Sequence, residues 1–198
     1  MIYIGIDPDL NNISAAVLDE NNTLTIHYKK APKIKGTQEE KVYRAIREIV
    51  GIAATIYNNT YYTIYMCIEG QNIRYTGRTN SVPSQSLIGT AQLSGAWCGA
   101  LCSNFHNSGF YDMGTLQIVL PFTWKQNLSK KSCQSRAYDC LKIPYHIMGG
   151  EKPYAVPCDI KSLMSKDSDT PNPGDFVDIS DSVALALYCK RKYGKITS

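Results

Sequence analysis

The sequence has few of the residues that zinc sites and histidine or cysteine nucleophiles require. It contains three histidines, scattered at positions 27, 106 and 146, which we interpret as surface or loop residues. None of its seven cysteines belongs to a Cys-x-x-Cys pair, and Cys98 and Cys102 lack nearby histidine partners, so no zinc site is expected. An odd number of cysteines, several within apolar segments, instead indicates reduced thiols and an intracellular protein.

Long apolar runs are also absent. No stretch approaches the roughly 18 consecutive apolar residues of a membrane-spanning helix. The chain begins directly with an apolar strand pattern and lacks the charged region and cleavage site of an export signal. We therefore expect a cytoplasmic protein that forms one domain over residues 1–198, a length that suffices to bury a full core.

The chain has little net charge, +4, but its basic residues are unevenly distributed. They form groups around residues 29–35, 125–131 and 190–195. Each group alone is more often a solvated surface. Basic groups around an acidic centre, however, are what an enzyme acting on a phosphate backbone needs.

Alternation of apolar and polar residues predicts three consecutive antiparallel strands over residues 2–7, 13–18 and 23–28. Thr37 and Glu40 then form a capping box, because the threonine and the glutamate can each accept a hydrogen bond from the other's backbone. A long helix is expected to follow this box and to cover the sheet.

Two further strands are predicted over 62–68 and 115–120, and helices from residue 84 or 86 to about 102 and over 132–141. The expected fold class is therefore α/β, with a mixed five-stranded sheet, three antiparallel strands and then two parallel ones, flanked by helices. Residues 144–175 are rich in Pro, Gly, Ser and Asp and are expected to form a long loop that is either functional or poorly ordered. A final helix and a short basic tail end the chain.

Four carboxylates stand at positions from which they can share a site. Asp178 and Asp181 lie three residues apart at the start of the almost wholly apolar last helix, so both lie on one helical face. On their own they are an ordinary helix start, with Asp178 as the N-cap and Asp181 at N3. Asp7 ends the first strand and Glu69 ends the fourth, and neighbouring strands lie about 4.8 Å apart.

Such a cluster repels itself and raises at least one carboxyl pKa unless divalent cations neutralise it. Two magnesium ions about 4 Å apart would balance the charge and suit in-line phosphodiester hydrolysis. One ion lowers the pKa of the attacking water, and the other stabilises the departing oxygen. The sequence therefore predicts a magnesium-dependent nuclease that needs no histidine or cysteine nucleophile.

The acidic segments resemble those of a known family. Residues 4–8 (IGIDP), 67–71 (CIEGQ) and 178–186 (DISDSVALA) look like the three acidic motifs of the RuvC family of Holliday junction resolvases, which has the RNase H-like fold. One departure is Asp9, which stands where the family usually has glycine.

Two segments between these motifs extend the resemblance. Residues 86–92 (SLIGTAQ) resemble the family's helix after the glutamate. Residues 121–126 (PFTWKQ), followed by Lys130 or Lys131, resemble the basic segment before its last helix. The similarity extends over residues 2–190 or so.

The resemblance implies a homodimer that binds a four-way DNA junction and nicks two symmetry-related strands. It implies two Mg²⁺ ions at each active site, with Mn²⁺ as a substitute, held by Asp7, Glu69, Asp178 and Asp181. It also implies that Lys125, together with Lys130 or Lys131, neutralises the scissile or a neighbouring phosphate, and Lys131 is the one that we assign to catalysis beside Lys125. The residues expected to contact DNA are Lys30, Lys33, Arg74, Tyr75, Arg78, Lys125, Lys130 and Lys131. Tyr75 is either an aromatic wedge that stacks on a base or a plain exposed loop tyrosine.

Three alternative functions differ from this one in substrate range, in catalysis or in the residues that they require. A looser enzyme with the same chemistry would cut forks and flaps as well as junctions. A non-catalytic binder of branched DNA would keep the fold, but here all four acidic positions are filled. An actin-like ATPase would need a Gly-rich phosphate loop after the first strand, and residues 7–12 contain no glycine.

Overall fold

The computed structural model describes residues 1–31, 36–58, 63–70, 85–106 and 113–194. Seven strands and five α-helices lie in these ranges. In chain order they are β1 (Ile2–Asp7), β2 (Asn12–Asp19), β3 (Leu24–Lys30), α1 (Gln38–Asn58), β4 (Ile64–Glu69), α2 (Gln85–His106), β5 (Met113–Val119), α3 (Pro121–Lys125), α4 (Lys130–Leu141), β6 (Tyr145–Met148), β7 (Tyr154–Pro157) and α5 (Phe176–Tyr193).

The first five strands form one sheet in the order β3-β2-β1-β4-β5. Strands β1, β2 and β3 are antiparallel neighbours, whereas β4 is parallel to β1, and β5 is parallel to β4. This is the mixed sheet that the sequence pattern predicted. In the parallel pair Ile6 lies opposite Ile68, so the next residues, Asp7 and Glu69, end adjacent strands at the same edge of the sheet.

Period-two alternation sends the side chains of β1 to two different layers. Ile2, Ile4 and Ile6 pack with α1 and α2 on one face, whereas Tyr3 packs with α4 and α5 on the other. Gly5 shares the α5 face, and a Cβ atom there would overlap the backbone of Ser182 and Ala186. The absence of a side chain at this position therefore lets α5 lie directly on β1, the strand that carries Asp7.

The capping box that begins the first helix is confirmed. The backbone N–H of Thr37 donates to Glu40 Oε2 (2.8 Å), and the backbone N–H of Glu40 donates to Thr37 Oγ1 (3.3 Å). None of the described helices has the length and apolar character needed to cross a membrane.

The expectation of a long loop over 144–175 is wrong. This segment contains the β6–β7 hairpin and two 3₁₀ turns, Lys161–Leu163 and Pro173–Asp175. Between the turns, Ser165 and Asp169 donate backbone hydrogen bonds to carbonyls of β3 at 2.8 and 2.9 Å. The polar, Pro-rich composition gives no sign of these contacts, because the segment forms its hydrogen bonds with the edge strand of the main sheet.

Two predicted helix starts are also corrected. The last helix begins at Phe176, so Asp178 lies inside its first turn and is not the N-cap. A 3₁₀ turn capped by Asn172 and Asp175 continues directly into α5, so the helix begins two residues before Asp178. Helix α4 begins at Lys130, because Ser129 is the N-cap and its side chain accepts from the backbone of Ser132.

His27 was expected on the surface but is buried in β3, with 6% of its surface exposed. Burial lowers the pKa of His27 to about 4. The imidazole is therefore neutral at pH 7. All seven cysteines are free thiols, as expected.

Candidate active site

The four predicted carboxylates come together where β1 and β4 end beneath the first turns of α5. The backbone N–H of Asp7 donates to Ser182 Oγ (3.1 Å), which joins the end of β1 to α5. The ammonium group of Lys125 lies 3.6 Å from Glu69 Oε2 and 3.7 Å from Asp181 Oδ2. Glu69 and Asp181 are buried, with 8% and 1% of their surfaces exposed.

The pKa shifts of these carboxyl groups show how closely they interact. Burial raises the pKa of Asp7 well above its ordinary range, and repulsion by Glu69, Asp181 and Asp178 raises it further. Burial also raises the pKa of Glu69, although Lys125 opposes this change. Burial raises the pKa of Asp178 to about 6, against a stabilising hydrogen bond from Asn12. Burial is the largest cause of all three shifts, and repulsion by neighbouring carboxylates adds to each.

Two lysines enter the cluster. Lys130 Nζ lies 2.7 Å from Asp181 Oδ2, and Lys125 bridges Asp181 and Glu69. Burial alone would lower the pKa of Lys130, but Asp181, with smaller contributions from Asp7 and Asp178, more than offsets this, and the pKa is raised. Of the two candidates left by the sequence, the structure therefore brings Lys130 to the carboxylates. Lys131, the next residue in the same turn of α4, is exposed and lines a groove beside the site.

Trp124 fixes the orientation of Glu69. Its indole N–H donates to Glu69 Oε2 (2.9 Å), and the Lys125 ammonium group lies 4.6 Å from the centre of the same ring. Both contacts come from α3, the short helix that follows β5. A hydrogen bond to the ionised carboxylate favours the charged form of Glu69, the form that binds a cation.

Gln134 is a site residue that the sequence reasoning missed. It is fully buried, and its side-chain amide donates to Asp181 Oδ1 (2.7 Å) while its carbonyl oxygen accepts from the backbone of Ala155 in β7 (2.9 Å). One signal was available, because Gln134 lies four residues after Lys130 and so shares its helical face.

Asn12 and Tyr28 also belong to the site and were not predicted from the sequence, and together they hold Asp178 in position. Asn12 Nδ2 donates to Asp178 Oδ2 (2.9 Å), and the Tyr28 hydroxyl donates to Asn12 Oδ1 (3.2 Å). Asp9 stabilises the preceding turn, since its Oδ1 accepts from the backbone of Asn11 and Asn12 at 2.7 and 2.9 Å. Asp9 therefore positions the asparagine that holds Asp178.

The donor set suits magnesium by its chemistry, since carboxylate oxygens are the protein ligands that this ion prefers. As the side chains stand, however, no three His, Cys, Asp or Glu residues in the described ranges are arranged to hold a metal ion. The Lys130 ammonium group lies against Asp181 instead. Of the carboxylates Asp7, Glu69, Asp178 and Asp181, two would therefore have to exchange lysine contacts for a divalent cation, namely Glu69 and Asp181.

Of the other predicted DNA contacts, only Lys30 lies within the described residues. Lys30 pairs with Asp175 at 2.8 Å and is not brought to the carboxylates by any contact seen among the described residues. Lys33, Arg74, Tyr75 and Arg78 lie outside the described residues.

Comparison with solved structures identifies the fold. The sequence matches no family model and no curated protein. Among solved structures, the chain is similar to Thermus thermophilus RuvC in complex with a Holliday junction substrate, with 15% identity, a TM-score of 0.53 and coverage of 100% of this chain and 97% of that chain. A Thermus thermophilus RuvC structure is also 15% identical, with a TM-score of 0.49 over 98% of this chain and 97% of that chain. The chain thus has the α/β RNase H-like fold of RuvC.

Proposed function

We propose that this protein is a metal-dependent endonuclease that resolves Holliday junctions by hydrolysing phosphodiester bonds in symmetry-related strands. The observation that carries the proposal is the convergence of Asp7, Glu69, Asp178 and Asp181 with two lysines at one edge of a RuvC-like sheet. A similar structure, at 15% identity, is of RuvC in complex with a Holliday junction substrate.

Each group in the cluster receives a role. The four carboxylates would hold two Mg²⁺ ions, or Mn²⁺ in their place, and the chemistry supplied there would be an activated water and stabilisation of the departing oxygen. Trp124, Gln134 and Asn12 orient three of the carboxylates through the hydrogen bonds described above. Lys125 and Lys130, which pair with carboxylates here, are then available to neutralise the scissile phosphate.

A homodimer suits this function, because a four-way junction offers two symmetry-related strands to two identical sites. Exposed apolar side chains on one side of the molecule support self-association. Tyr43 on α1 and Ile88 on α2 line a shared groove with Ile46. The function also implies a cytoplasmic location, where DNA is accessible.

The experiment compares labelled four-way junction, fork and linear duplex DNA, with and without Mg²⁺, and maps the products on every arm. The proposal predicts paired symmetric nicks in the junction, dependent on Mg²⁺, and little cleavage of linear duplex. Cleavage of the fork at the same rate as the junction would favour the broader branched-DNA nuclease. Binding of junctions with no cleavage in either Mg²⁺ or Mn²⁺ would favour the non-catalytic binder.

A further inference from the structure

A basic groove lies directly beside the carboxylate cluster. One wall is the first turn of α4, with Lys130 and Lys131, and the other is the end of the β6–β7 turn, with Lys152. Pro153 and Tyr154 add apolar surface between them. Since Lys130 also contacts Asp181, the groove opens onto the candidate active site.

Lys131 and Lys152 are both exposed, and within the described part of the chain neither has a carboxylate partner. They differ in this respect from Lys29, Lys30 and Lys125, whose ammonium groups are paired with acidic side chains. The groove therefore presents unneutralised positive charge next to apolar surface, which matches a polyanion that carries apolar groups.

The hairpin that carries Lys152 is fixed to the site. The backbone N–H of Ala155 donates to the same Gln134 side chain that holds Asp181, and the Ser180 hydroxyl donates to the carbonyl of Ala155 (2.8 Å). The Tyr154 hydroxyl donates to the carbonyl of Pro173 (3.1 Å).

The turn itself is tightly built. Gly149 has a φ of +85°, and a Cβ atom there would lie 2.7 Å from the carbonyl oxygen of Lys152. Lys152 is therefore displayed on a hairpin with a defined position relative to Asp181.

We infer that this groove binds the sugar-phosphate backbone of the DNA strand that is cut, on one side of the scissile phosphate. Lys131 and Lys152 contact phosphates from the two walls, and Tyr154 and Pro153 pack against the sugar or base surfaces between them. This inference rests on the proposed function and adds to it a path for the strand and a role for the β6–β7 hairpin.

The test measures the affinity of Lys152→Ala and Lys131→Ala for a labelled four-way junction over a series of salt concentrations, in EDTA so that no strand is cut. Each loss of a phosphate contact is expected to weaken binding about eightfold at ~0.1 M salt and to reduce the slope of log K against log salt by about one. The double variant should show both losses added. Melting temperatures should be unchanged, because both ammonium groups are exposed.

Lys41→Ala is the matched control, since Lys41 is an exposed lysine on α1, across the sheet from α4 and the hairpin. It should bind like the wild type. If Lys152→Ala has wild-type affinity and salt slope, the groove does not bind the DNA backbone, and the inference is overturned while the proposed function is left intact. A changed oligomeric state with unchanged DNA affinity would assign the groove to a protein contact and also overturn the inference. A wild-type chain that binds no branched DNA would overturn both.

Discussion

The side-chain amide of Gln134 donates a 2.7 Å hydrogen bond to a carboxylate oxygen of Asp181, and its carbonyl accepts from the backbone of β7. One buried side chain thus ties the last acidic residue of the site to a hairpin that belongs to neither the sheet nor α5. Its removal is expected to affect both the fold and the site.

Gln134→Ala should lower the free energy of unfolding by about 2–3 kcal/mol, because it leaves the buried N–H of Ala155 without an acceptor. Urea unfolding measures this change. Gln92→Ala, at an exposed position on α2, is the control and should change stability by less than about 0.5 kcal/mol. Equal stability of the two variants would show that the Gln134 contacts contribute little.

Gly5→Ala should be among the most destabilising single substitutions in the chain. The added methyl group would overlap the backbone of Ser182 and Ala186, and α5 would have to move away from β1. Gly51→Ala, in α1 with nothing within 4 Å of the new Cβ atom, should instead stabilise the protein by up to about 1 kcal/mol. Thermal melts of the two variants test the contrast, and a wild-type melting temperature for Gly5→Ala would disprove the close packing.

The charge on Asp178 should destabilise the metal-free protein at high pH. Burial raises the pKa of Asp178 from an ordinary 3.8 to about 6, so the folded chain holds a proton that the unfolded chain has lost between these values. The stability that this group contributes is complete below about pH 4 and is lost as the pH rises through about 6.

Asp178→Asn removes this pH dependence. In EDTA the variant should melt at a higher temperature than the wild type at pH 8, and the difference should shrink toward pH 5. His27 has the opposite effect, because its lowered pKa destabilises the fold as the pH falls below 6.5, the ordinary pKa of histidine. This effect is the same in both proteins and cancels when the variant is compared with the wild type. A difference in melting temperature that is independent of pH would contradict the assignment.

Trp124→Phe should weaken metal binding without removing a ligand. The ring is retained, but Glu69 loses the hydrogen bond from the indole N–H, which favours its ionised form. Loss of an outer contact of this kind costs roughly 10-fold or more in metal affinity. Calorimetric titration with Mn²⁺ measures it, and Trp97→Phe, in the core on the opposite face of the sheet, should keep wild-type affinity.

The positions of the four carboxylates could be predicted from the sequence because they depend on simple rules. Strand alternation and the parallel β1–β4 pairing fix Asp7 and Glu69 at one edge, and a three-residue spacing keeps Asp178 and Asp181 on one helical face. The Thr37 capping box was predictable for the same reason, since it is a local interaction.

The supporting residues depend on contacts distant in sequence. Gln134 contacts partners 47 and 21 residues away, and Asn12 contacts Asp178 across 166 residues. The β6–β7 hairpin was missed because its strands are four residues each, and β6 is partly exposed along its whole length. A pattern this short carries almost no periodic signal.

The central claim is that the carboxylate cluster binds divalent cations that drive DNA cleavage. The most direct measurement is the rate of Mg²⁺-dependent nicking of a synthetic four-way junction by Asp7→Asn and by Asp19→Asn, which makes the same charge change at the other end of the β1–β2 pair. We predict that Asp7→Asn loses nicking while still binding the junction and that Asp19→Asn cuts at the wild-type rate. Cleavage by Asp7→Asn at the rate of Asp19→Asn would contradict the claim.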